Sequence, residues 1–93
     1  MVTKRYRVMG RVQGVGFRYF VLREAETLGV AGWVRNRADG SVEVLAAGSN
    51  EALESLRHRL DEGPRSSRVT SVSAMDEALE QVPDAFEIRR DGV

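Results

Sequence analysis

Between Lys4 and Leu28 the hydrophobic period changes once, across the loop Gln13-Gly14-Val15-Gly16. No other feature of the sequence limits the fold as much. From Lys4 to Val12, Tyr6, Val8, Gly10 and Val12 fall on one face and Arg5, Arg7 and Arg11 on the other. That alternation predicts a strand with one side on a core. From Arg18 to Leu28 the spacing becomes helical: Phe17, Val21, Ala25 and Leu28 line one side, opposite Tyr19, Arg23 and Glu26. Gly29 then supplies the left-handed stop that a helix C-terminus favours.

The remainder of the chain repeats this alternation of periods. Val30–Asn36 and Ser41–Ala47 read as strands joined by the turn Arg37-Ala38-Asp39-Gly40, whose Asp-Gly pair suits a tight hairpin. Ser49-Asn50 is a helix N-cap signal, Leu53, Leu56 and Leu60 form the apolar stripe that follows, and Gly63-Pro64 ends it. Arg68–Met75 and the short Phe86–Arg89 read as further strands, with an acidic surface loop expected over Asp76–Pro83. The order strand, helix, strand, strand, helix, strand predicts an α+β, ferredoxin-like βαββαβ sandwich, followed by a short fifth C-terminal strand. In it an antiparallel sheet carries both helices on one face, with spatial order fourth, first, third, second. The first strand's arginines would then lie on the open face, where Glu43 on the third strand could pair with one of them. At 93 residues the chain is expected to form one domain, residues 1–93, around one modest core.

Composition narrows the chemistry. There is no cysteine, which excludes thiolate catalysis and thiolate metal sites and fits a reducing, cytoplasmic compartment. The formal net charge is zero, so no global field draws in nucleic acid or acidic membranes and any anion site must be local. No apolar run approaches the roughly 18 residues of a membrane span, and Met1-Val2-Thr3-Lys4-Arg5-Tyr6 lacks a secretory signal pattern. His58, the one histidine, falls on the polar side of the second helix, as a solvated residue. Acidic residues nowhere cluster at ligand spacing, so no metal and no cofactor are expected. Charges on the edge strands favour a monomer.

The segment Gly10-Arg11-Val12-Gln13-Gly14-Val15-Gly16-Phe17-Arg18 holds the main chemical possibility. Glycines let backbone N–H groups approach a ligand closely. A helix start adds unpaired donors and a positive dipole end, and Arg18 adds a bidentate cation. Together they make either a phosphate-sized anion cradle or a tight strand-to-helix turn that binds nothing. It is not a P-loop, because Phe17-Arg18 follows Gly16 in place of Lys-Ser/Thr, and it is not a dinucleotide fingerprint, because Tyr19 stands where the third glycine belongs. Asn36 is a turn residue or a second ligand-facing group. The first and second strands run in the same direction, so their ends lie at one edge, about 10 Å apart.

Gly10 to Arg18 resembles the acylphosphatase motif Gly-x-Val-Gln-Gly-Val-x-Phe-Arg. Gly32-Trp33-Val34-Arg35-Asn36 is similar to that family's second block, Asp39-Gly40-Ser41-Val42-Glu43 to the turn and strand that follow, and Phe86-Glu87-Ile88 to its C-terminal strand. The likeness spans nearly the whole chain. It implies a free-standing hydrolase of acyl phosphates, releasing a carboxylate and inorganic phosphate by in-line attack of water on phosphorus. Arg18 would bind the phosphate, Asn36 would hold the water, and Gln13, Gly14, Val15, Gly16 and Phe17 would form the cradle, mainly through backbone. The tail Arg90-Asp91-Gly92-Val93 runs past the family's usual end. A non-catalytic anion-sensing domain, an accessory domain of a larger carbamoyl phosphate enzyme and an RNA-binding module share this architecture. The RNA module needs aromatics on the third strand, and Val42-Glu43-Val44-Leu45 has none.

Overall fold

Alternation along the strands sorts the side chains into two layers. Tyr6 and Val8 on β1 (Val2–Arg11), Val34 on β2 (Ala31–Asn36), and Val42, Val44 and Ala46 on β3 (Val42–Gly48) are all buried against the helices. Helix α1 (Phe17–Leu28) returns Phe17, Val21 and Ala25 to this core, and α2 (Asn50–Glu62) returns Leu53, Leu56 and Leu60. Each buried Val, Leu or Phe among them contributes about 1.5–3 kcal/mol by leaving water. Strands β4 (Arg68–Asp76) and β5 (Phe86–Ile88) form the sheet edges. The computed structural model describes residues 1–78 and 82–92, so part of the loop expected over Asp76–Pro83 lies outside the described residues.

The sheet order is β4-β1-β3-β2-β5, which includes the order expected for the first four strands. β1 pairs antiparallel with both β3 and β4, and β2 antiparallel with β3. The short fifth strand, whose direction the sequence left open, joins the other edge of the sheet. β5 lies parallel to β2, with Gly32 opposite Phe86 and Val34 opposite Ile88, so the sheet is mixed. The pairing carries Phe86 into the core beneath α1. Element ends depart from the sequence reading by at most two residues. Ser49 caps α2, its side chain accepting from Ala52 N at 3.1 Å.

The uncovered face is not bare. Trp33 is only 6% exposed. The guanidinium groups of Arg35, Arg89 and Arg5 lie 4.8, 5.3 and 5.8 Å from its ring centre. Roofed in this way, it offers no free stacking surface of the kind a sheet-face RNA binder presents.

Candidate active site

β1 and β2 both flank β3 in antiparallel register, so they run the same way and end at the same edge of the sheet. Past β1 the chain is anchored by Val12 and Phe17, each 1% exposed, and arches outward between them. Gly14 (φ 72°) and Gly16 (φ 78°) both take the left-handed conformation, which only glycine adopts without cost. The arch is held from two sides. Gln13 Nε2 donates to Arg37 O at 2.7 Å and Ser41 O at 2.9 Å, and Ser66 Oγ donates to Val15 O at 2.8 Å. The Gln13 side chain thus ties the loop to the β2–β3 hairpin.

Gly16 caps α1 with no side chain satisfying the helix start, and the first turn carries no acidic residue. Among the described residues, the first amide after the arch to find a backbone acceptor is Phe20, on Gly16 O at 3.0 Å. The preceding N–H groups are therefore available to an external anion, at the positive end of a 12-residue helix. Arg18 rises from this first turn with its side chain 38% exposed, and its Nη1 donates to Asp91 Oδ1 at 3.1 Å.

Asn36 closes β2. It is 8% exposed, and its carbonyl accepts from Gly92 N at 2.7 Å. The turn beyond it is fixed by Asp39, whose Oδ1 accepts from Ser41 Oγ at 2.6 Å and Ser41 N at 2.9 Å. These two bonds hold the Asp39 carboxyl below its ordinary value.

Arg18 and Asn36 line one open pocket of about 240 Å³. Gly14, Gly16 and Tyr19 complete its rim with Ile88, over a floor of Val12 and Phe17. Cation, helix-start donors and a neutral amide thus converge on a space large enough for a phosphate and a small substituent. Of the residues the sequence assigned to the site, Arg18, Asn36, Gly14, Gly16 and Phe17 line this pocket, and Gln13 and Val15 do not. Sequence reasoning missed Tyr19 and Ile88 as walls and Asp91 as the partner of Arg18. Tyr19 had a signal, since it follows Arg18 on the polar side of the helix. Asp91 had none, being 73 positions away. A groove of about 300 Å³ beside Lys4, Tyr6 and Arg57 gathers groups already engaged internally: Lys4 with Asp76, Tyr6 with Leu53 O and Arg57 with Val72 O. His58 is exposed on α2 and lines neither space.

Fold and site define a ferredoxin-like sandwich with a phosphate-sized pocket at the shared ends of β1 and β2. An acylphosphatase family model matches residues 4–88. The chain is 57% identical to an acylphosphatase of Koribacter versatilis over 92% of its own length and 78% of that protein's. It is 47% identical to one of Bifidobacterium longum over 97% and 94%. The crystal structure of acylphosphatase from Bacillus subtilis superposes with a TM-score of 0.90 at 47% identity, covering 96% of this chain and 99% of that one. The chain belongs to the acylphosphatase family, hydrolases of acyl phosphates.

Proposed function

We propose that this protein hydrolyses acyl phosphates by in-line attack of water on phosphorus, with Arg18 and the amides of Gly14 to Phe17 holding the phosphate and Asn36 holding the water. The observation that carries this reading is the convergence of Arg18, the unpaired amides of the α1 start and Asn36 on one pocket. A bond forms from the water oxygen to phosphorus as the bond from phosphorus to the acyl oxygen breaks. The carboxylate leaves with the electron pair, and the water's proton passes to a phosphate oxygen. A carboxylate is a good leaving group and needs no general acid. The remaining demands are charge neutralisation and alignment, which dominate phosphoryl transfer. Asn36 is too weak a base to take the proton, so its part is orientation.

The same chemistry asks for no metal, and excess chelator should leave turnover unchanged. A chain without cysteine suits the reducing cytoplasm, and the charged Arg68 and Asp76 at the ends of edge strand β4 favour a monomer. The direct test is hydrolysis of benzoyl phosphate in 18O-water. The label is expected in inorganic phosphate; label in benzoate would mean attack at carbon and would remove the role given to Asn36.

A further inference from the structure

Glu43 is the one charged residue buried among those described, at 2% exposure, and hydrolysis as read above makes no use of it. It sits mid-sheet on β3, on the open face. Its Oε1 accepts from Arg35 Nε at 2.7 Å and Arg37 Nη1 at 3.0 Å, and its Oε2 accepts from Arg5 Nη1.

Arg35 and Arg37 are the residues on either side of Asn36. Along a strand, alternate side chains share a face and the one between points away. One carboxylate oxygen therefore ties together the two neighbours of Asn36, from the face opposite the one its own side chain uses. Arg35 is further fixed. It lies directly across the ladder from Glu43, stacks 4.8 Å from the Trp33 ring centre, and has Gly92 against its guanidinium. The backbone is pinned at the same place, with Arg37 N donating to Ser41 O at 2.9 Å and Gln13 Nε2 to Arg37 O at 2.7 Å.

A buried carboxylate is costly to desolvate, and an apolar side chain beside Trp33 and Leu45 could fill the same space at no such cost. Stability alone therefore gives little reason for a charge here. We propose that Glu43 is a positioning residue: by holding Arg35 and Arg37 on the open face, it sets the direction in which Asn36 presents its amide to the attacking water. This rests on the water-holding role of Asn36.

The test is a double-mutant cycle on benzoyl phosphate hydrolysis with Glu43→Gln, Asn36→Ala and the pair, together with inhibition by inorganic phosphate. Glu43→Gln is expected to lower kcat at least about tenfold through misalignment, while the phosphate inhibition constant stays within about twofold, because Arg18 and the cradle sit on other elements. Asn36→Ala should then cost markedly less in the Glu43→Gln background. Additive losses, a parallel weakening of phosphate inhibition, or an unchanged kcat in folded Glu43→Gln would each overturn the proposal. Should Glu43→Gln fail to fold, Arg35→Gln with Arg37→Gln cuts the same ties and leaves Glu43 paired to Arg5. The same fall in kcat is expected there, and an unchanged kcat overturns the proposal. An active wild type with an additive cycle refutes Glu43 alone. If Asn36→Ala retains full turnover, the reading beneath it has failed.

Discussion

Arg18, the proposed phosphate ligand, is paired with a carboxylate in the free protein. The pair with Asp91 at 3.1 Å is solvent-exposed, with side chains 38% and 66% accessible, so its worth is at most about 1 kcal/mol. It is still a negative charge beside the proposed phosphate site. Asp91→Asn is expected to tighten inhibition by inorganic phosphate by up to about fivefold, an effect that should fade in molar salt. Weaker inhibition would mean that Asp91 assists the arginine and does not compete for it. At this scale the sequence was informative where chemistry follows local order. Arg18 follows a glycine arch into a helix, and Asn36 ends a strand, so both could be placed from the motif. Glu43 was expected to pair with one arginine and holds three. Asp91 was not connected to Arg18 at all. Asp91 is 73 positions from Arg18 and Arg5 is 38 from Glu43. Arg35 and Arg37, only 8 and 6 positions from Glu43, reach it through the hairpin register, and no local periodicity reports these contacts.

The element on which the site depends most is the arch between β1 and α1. Gly16 is left-handed at φ 78° and ψ 17°, and a Cβ added there would meet nothing within 4 Å. The cost of Gly16→Ala is therefore conformational, about 1–2 kcal/mol, and should appear in the urea midpoint together with weaker phosphate inhibition. Unchanged stability with unchanged inhibition would mean that the arch does not need this geometry. Gln13→Ala removes both bonds that join the arch to the hairpin. It should lower kcat, because it separates the two halves of the pocket. Element order and the first four strand positions were legible, since each rests on periodicity and punctuation. The direction of β5 was not, because a three-residue strand has too little pattern to choose between parallel and antiparallel neighbours.

For the molecule as a whole, the arginine-roofed face links stability to acid. Burial alone would raise the Glu43 carboxyl, but hydrogen bonds from Arg35, Arg37 and Arg5 outweigh it and hold the group below the ordinary glutamate range. Its folded value is depressed, so its contribution is fully present above that range and is lost as pH falls through the folded value. Glu43→Gln should cost about 3 kcal/mol at neutral pH, the low end for a broken buried pair, because the three arginine side chains are already 24–31% exposed. The gap from wild type should narrow as urea unfolding is repeated at falling pH below the ordinary glutamate value. A gap independent of pH would contradict this account of the network. The central claim concerns the pocket at the other end of these contacts. Its most direct test is the rate of benzoyl phosphate hydrolysis in excess chelator by wild type, Arg18→Ala and Asn36→Ala. The account predicts rapid turnover by wild type and a loss of about 3–4 kcal/mol in transition-state stabilisation for Arg18→Ala, as for a missing oxyanion donor. For Asn36→Ala it predicts a collapse of kcat with phosphate inhibition retained. Normal turnover by either folded variant would contradict it.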